Sequence, residues 1–448
     1  MNKKSFCFLS IFLISSLLLS AQPVKKLSTD FWPNKQKKSE GYKIDSLETE
    51  LWTYWYENGQ KMCVGNFKEG KKTGKWNYFY HTGRKWSVIA ADSGISVNWY
   101  ENGKEEMRGP VCNGKMSGKW LYWDTLGRLK KEAVYANGMQ NGPCTSWHNN
   151  GKKEFEGVYK DGKIEGPATW WYGNENVEMK GSSVAGLQDG PWTFYHFNGK
   201  PGSEGSFSNG KLNGKWTYYY DTDEKWKEIT YVMGMKEGTT TAWHKNGKVH
   251  HTGLFKNGKE EGEWNTWYED GVLRDKGFFS AGQMTGKWEG WFKSGKVKYV
   301  THYKDNVKDG SDTHWFENGE TEYMCTYKKG LKNGKYFGNY ETGKTLEKGS
   351  YLDDKKQGEW EFYDMFNRLM MKETFNKNIL HGKFISYHAN KKVAEKGSYY
   401  HSKKDGKWTF YSKDGQILFQ AIYDKGKLVK NLLNPQDTPQ KPVGSQPK

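Results

Sequence analysis

Polar and apolar positions recur along this chain with a period of 24 residues. Glycine opens each period at Gly94, Gly118, Gly142, Gly166, Gly190, Gly214, Gly238, Gly262, Gly286, Gly310, Gly334, Gly358, Gly382 and Gly406. Counted from that glycine as position zero, position five is aromatic in Trp99, Trp123, Trp147, Trp171, Tyr195, Tyr219, Trp243, Trp267, Trp291, Trp315, Tyr363, Tyr387 and Tyr411, with Asn339 departing from the pattern. Upstream, Gly74 opens a repeat shortened by four residues, Glu50 opens another, and a worn first repeat starts near Lys26, adding Phe31, Trp55 and Phe79 to the row. The total is about seventeen repeats. A fixed period of this length marks a repeat architecture.

Position nine is usually Gly after a turn former, as in Asn58-Gly59, Asn102-Gly103, Asn246-Gly247 and Asn318-Gly319. Asn-Gly between β-prone runs signals a type I′ hairpin turn. Each repeat is therefore predicted to be a β-hairpin, with strands at positions two to six and eleven to seventeen and a second turn of the "SNGKLNGKW" kind leading onward. A two-residue turn sets position two across from fifteen and position six across from eleven. Position two is often Trp (Trp120, Trp192, Trp216, Trp264, Trp288, Trp360, Trp408) and position fifteen often Gly (Gly157, Gly205, Gly253, Gly277, Gly349, Gly397). A ring over a cross-strand glycine covers exposed backbone, so one face is expected to be an aromatic core. The aromatic residues of position seventeen, such as Phe207 and Tyr231, share it.

Strict alternation sends position five to the opposite face. Three readings stay open: a bulge turns the ring inward, the sheet coils to cover both faces, or the row from Trp99 to Tyr411 is an exposed binding ladder.

The expected fold is all-β, an elongated single-layer antiparallel meander of hairpin repeats. About thirty strands at ~4.8 Å spacing would form a rod on the order of 150 Å. Residues 1–21 read as a signal peptide: Lys3 and Lys4, an apolar stretch from Phe6 to Leu19, and a Ser20-Ala21 cleavage site. Residues 22–49 hold the degenerate first repeat, 50–429 the tandem domain, and 430–448 a proline-rich tail expected to be disordered. The expectation is an exported protein that is periplasmic, surface-associated or secreted.

Composition agrees with aromatic packing. The chain has 53 Gly, 22 Trp, 29 Tyr and 22 Phe but only 35% hydrophobic residues, so rings rather than aliphatics must fill the core. Loss of Lys3 and Lys4 lowers the formal charge from +17 to +15, which favours anionic glycans or lipid headgroups as partners, with export disfavouring nucleic acid. Cys63, Cys112, Cys144 and Cys325 occupy four different repeat positions, so they are no per-repeat staple; export would permit disulfides, and a small satellite role or free thiols is expected.

Repeats such as "GEWNTWYEDGVLRDKGFFSAG" and "GKWTYYYDTDEKWKEITYVMG" resemble the MORN repeat variant over about residues 26–430. The resemblance implies a tandem-hairpin module that contacts proteins or membrane lipids, in a family whose bacterial members are often described as antitoxin-like. A weaker likeness is to glycine-aromatic choline- or glucan-binding repeats, whose aromatic spacing differs.

No catalytic constellation, metal site or cofactor motif is expected. His148, His196, His244 and His388 all fall at position six, where other repeats carry Tyr or Phe; His250-His251 and His314 read as isolated. Acids such as Glu57, Glu101, Glu156 and Glu204 recur with the repeat, whereas a catalytic pair is unique. The leading expectation is a non-enzymatic scaffold that binds a protein partner through its long regular surface. The alternatives are a cell-wall or glycan binder and an anionic membrane-surface binder.

Overall fold

The structure, a computed structural model, describes residues 24–433. The signal segment 1–21 and residues 434–448 of the expected tail lie outside the described residues. The strand Lys427–Leu433 runs past residue 430. Two compact blocks divide between Leu187 and Gln188. Within each, successive strands pair antiparallel in an open meander, and the described residues contain no helix.

The first strand of a repeat is longer than predicted. In the repeat of Gly214 it runs Lys211–Tyr219 and the second runs Lys225–Val232, so the opening glycine lies inside a strand. The predicted pairing of positions two and fifteen is present, as in Trp216↔Ile229. The ladder then slips: Tyr218 faces Lys227, but Tyr219 faces Lys225, placing position five across from eleven.

That slip follows from the tip turn, which is not the predicted type I′. In the next repeat Gly247 N–H donates to the His244 carbonyl at 2.9 Å, and His244 N–H to the Lys248 carbonyl at 2.8 Å. Gly247 has φ +81° while Asn246 keeps negative φ. This is a three-residue loop, a type I turn closed by a left-handed glycine that forms a bulge. The type I′ geometry belongs to the second turn, where Asn209 (φ 50°) and Gly210 (φ 74°) join the paired Ser208 and Lys211.

The 24-residue period itself marks a second bulge. Between the pairs Ser206↔Asn213 and Glu204↔Thr217, Gly205 alone faces Gly214, Lys215 and Trp216. Gly214 absorbs the mismatch at φ +80°, where a side chain would be strained. Even Glu50, the non-glycine at this position, adopts φ +56°.

Trp216 lies at this bulge, 2% exposed. Its ring covers Gly205 so closely that a Cβ there would stand 2.3 Å from Trp216 Cδ2. Its indole N–H donates to the Ser206 carbonyl at 3.0 Å, and its ring meets Phe207 edge-on at 5.1 Å and 83°. The ring over a position-fifteen glycine thus comes from the following repeat, not from the same hairpin as expected. The same arrangement joins Gly41 to Trp52, Gly65 to Trp76, Gly109 to Trp120, Gly253 to Trp264, Gly277 to Trp288, Gly349 to Trp360 and Gly397 to Trp408. Where position fifteen is instead Ile229, Ala133 or Thr301, the next position two is Thr240, Cys144 or Asp312. Burying each such ring contributes about 3 kcal/mol before entropy, and it does so between repeats.

Both edges are also joined from repeat to repeat. At the tips, Tyr100 Oη donates to the Trp123 carbonyl at 2.8 Å, and Asn102 Nδ2 to the Thr125 carbonyl at 2.8 Å. At the other edge, Gly234 N–H donates to the Leu212 carbonyl at 2.7 Å, and Ala281 N–H to the Glu261 carboxylate at 2.7 Å.

Candidate functional site

Position five stays on the face opposite the tryptophan core, despite the slip beside it. Trp99, Trp123, Trp147, Trp171, Tyr195, Tyr219, Trp243, Trp267, Trp291, Trp315, Tyr363, Tyr387 and Tyr411 are all half-buried, neither core nor fully open. Lysines from the preceding repeat approach several of these rings: Lys85 Nζ lies 4.9 Å from the Trp99 ring, Lys153 5.6 Å from Trp171, Lys348 5.4 Å from Tyr363 and Lys396 5.5 Å from Tyr411. The Tyr219 hydroxyl donates to Glu204 at 2.6 Å; burial first, then this carboxylate, pushes its phenol up to about 12.

Around the rings, positions one and fourteen lie diagonally across the hairpin and carry opposite charges in several repeats. Lys119 pairs with Glu132, Lys215 with Glu228 at 2.7 Å, Lys276 with Glu263 at 2.9 Å, and Lys372 with Glu359 at 3.2 Å. Such exposed pairs contribute about 0–1 kcal/mol each, so they shape the surface more than they stabilise it. The face is a mosaic of rings between compensated charges.

The position-six histidines behave as the tyrosines they replace. Nε2 of His148, His196, His244 and His388 lies 2.7, 3.2, 3.0 and 2.9 Å from the position-five carbonyl of the following repeat. His250 and His251, however, are not isolated. The tip bulge brings their Nδ1 atoms to 2.9 Å, with the His244 ring 4.7 Å from that of His250. His251 also stacks on Trp264 at 5.9 Å. Burial, followed by His250 and Lys227, holds the His251 imidazole down to about 4.

A stability consequence follows. Unfolded histidine protonates near pH 6.5, so the unfolded chain binds the extra proton first. The contribution of neutral His251 is complete above about pH 6.5 and is lost as pH falls towards 4. Melting of the full chain from pH 7 to 4.5 should therefore fall less steeply in H251Q than in the natural chain; equal slopes would remove His251 from this role.

His314 is also part of a cluster. Asp312 stands where other repeats carry Trp and is fully buried. Its carboxylate accepts from Thr301 Oγ1 at 2.5 Å, Lys308 Nζ at 2.7 Å and Tyr323 Oη at 3.1 Å, with His314 Nε2 at 3.2 Å. Against the burial that opposes ionisation, the nearby His314 ring and the bonds from Lys308 and Thr301 hold the carboxyl below its usual range. The His314 ring is sandwiched between Tyr299 and Tyr323, at 5.6 and 4.5 Å. Asp in a Trp column was the sequence signal that could have found this network. Among the described residues no group of three or more His, Cys, Asp or Glu is placed to hold a metal ion. Cys63, Cys112, Cys144 and Cys325 are free thiols, with Cys112 exposed.

Comparison with known proteins recognises the repeat. The family model described as MORN repeat variant matches residues 140–161, 188–209, 236–257, 260–281, 284–305, 380–400 and 404–425. Except in the sixth, which ends one residue earlier, each match starts two residues before an opening glycine and ends in the type I′ turn, and so spans one hairpin. No curated protein matches the chain. Solved structures aligned with it include "Crystal Structure of TcdB2-TccC3-Cdc42" (9% identity, 89% of this chain and 26% of that one, TM-score 0.16). Another is "Crystal Structure of TcdB2-TccC3 without hypervariable C-terminal region" (10% identity, 92% and 27%, TM-score 0.15). The chain spans about a quarter of those chains, and at these TM-scores the likeness carries no argument. The hairpin array thus includes seven units that match the MORN repeat variant.

Proposed function

We propose that the array is an exported, non-enzymatic scaffold that binds a protein partner through the face bearing the position-five rings. The observation behind this reading is the repetition of one half-exposed ring per repeat among compensated charges. A partner with its own repeated contacts would gain affinity by avidity rather than from one pocket. The MORN repeat variant is a non-catalytic repeat type, which supports the same reading.

The test is capture of a partner from the native source by the chain lacking residues 1–21, compared with the triple variant W243A/W267A/W291A. Unchanged circular dichroism would show that the variant keeps its sheet. Loss of the partner by about tenfold or more supports the scaffold face. Equal capture by both chains rejects it.

A further inference from the structure

The repeats of Gly382 and Gly406 carry cations without the ion pair that joins positions one and fourteen in the repeats of Gly118, Gly214, Gly262 and Gly358: Lys383 stands with Lys396, and Lys407 with Gln420. Lys335 and Lys348 are also both cationic, but Lys348 pairs with Glu361 of the next repeat at 2.8 Å. At the corresponding place beside Lys396 the next repeat carries Thr409. Among the described residues, Lys383, Lys396 and Lys407 have no carboxylate within ion-pair distance, although Lys372 pairs with Glu361 in the repeat before, and the pair of Lys404 with Glu395 joins these same two repeats.

These three lysines border a hollow of about 410 Å³, which Thr409, Tyr411 and Gln420 also line. Thr409 is 3% exposed, and its Oγ1 accepts from Gln420 Nε2 at 3.1 Å. That bond leaves the Gln420 side-chain carbonyl oxygen for a ligand. The Tyr411 ring forms a flat wall with the Lys396 ammonium 5.5 Å from its centroid.

From this juxtaposition we infer that the hollow binds a carboxylated sugar unit of an acidic polysaccharide. Uncompensated ammonium groups favour an anion. Lys383 and Lys407 occupy the same place in successive repeats, two strand spacings or ~9.6 Å apart along the sheet, which suits carboxylates spaced along a polymer better than one point anion. Gln420 can pair through its side-chain carbonyl oxygen with a sugar hydroxyl beside the Tyr411 ring. This site is independent of the protein-partner reading, since it needs only two repeats.

Isothermal titration of the full chain with a short uronic-acid oligomer tests the proposal, with the neutral oligomer of the same sugar and inorganic phosphate as separate arms. Binding of the uronate alone is expected. The K383Q/K396Q/K407Q chain should weaken it by about tenfold or more, whereas K256Q/K304Q/K328Q, which removes the same charge from exposed lysines elsewhere, should change it less than about twofold. Matching melting curves would show that both triples fold. No uronate binding, equal weakening by the two triples, or phosphate binding as tight as the uronate would each overturn the assignment.

Discussion

Gly349→Ala is expected to destabilise the C-terminal block by about 3 kcal/mol, at the upper end for a single added methyl group. A Cβ at Gly349 would stand 2.2 Å from Trp360 Cδ2. The ring has nowhere to go: it is fully buried, stacked on Tyr336 at 5.7 Å, met edge-on by Tyr351 at 5.0 Å and covered by the Lys356 ammonium at 4.0 Å. Trp360→Ala alone should cost about 3–5 kcal/mol. In that shortened background the added methyl group finds room, so Gly349→Ala should cost less than about 1 kcal/mol. Hydrogen exchange around residues 345–363 would measure the cycle locally, which suits an array whose repeats need not unfold together. Additive costs would show that ring and glycine do not act as a pair.

Asp312→Ala should cost about 3–5 kcal/mol, because it leaves the Lys308 ammonium and the Thr301 and Tyr323 hydroxyls without their common acceptor. Asp312→Trp alone should also destabilise, since Thr301 occupies the place that glycine leaves open in the Trp-bearing repeats. Thr301→Gly together with Asp312→Trp recreates the pair seen in Gly349 and Trp360, and frees Lys308 to lie over the ring as Lys356 does. Replacing buried charges by a well-packed ring is often neutral or stabilising, so the double variant should equal or exceed the natural chain in denaturant midpoint. A double variant weaker than Asp312→Ala would mean that the polar network is not a local substitute for the aromatic pair.

Much of the architecture was legible because the repeat multiplies each weak signal. A single Asn-Gly is a hint; its recurrence at position nine, with an aromatic always four residues earlier, makes a hairpin array. Alternation placed position two on the core face, where its tryptophans are buried, and left three readings open for position five. The tip turn, however, is not the expected type I′. Asn246-Gly247 has the composition of a type I′ turn, but its backbone is decided by the bulge that follows, and the type I′ turn occurs at pairs as unlike that signature as Met233-Gly234 and His401-Ser402.

The candidate site was legible only in part. The row from Trp99 to Tyr411 could be read directly, but not the lysines that the preceding repeat brings over several of its rings. His250 and His251 looked isolated because neighbours on a regular strand point to opposite faces. The bulge at position twelve removes that alternation and brings their nitrogens together.

By itself, the sequence determined the period, the hairpin unit, the pairing of positions two and fifteen within it, and the aromatic core, because these depend on spacing and residue type within a few dozen residues. The tertiary structure decided which repeat each ring serves. Trp216 pairs in register with Ile229 of its own hairpin, yet its ring lies on Gly205 of the repeat before. The reason is the bulge at the opening glycine: three residues facing one redirect the tryptophan across the repeat boundary, a displacement that alternation along a strand does not encode.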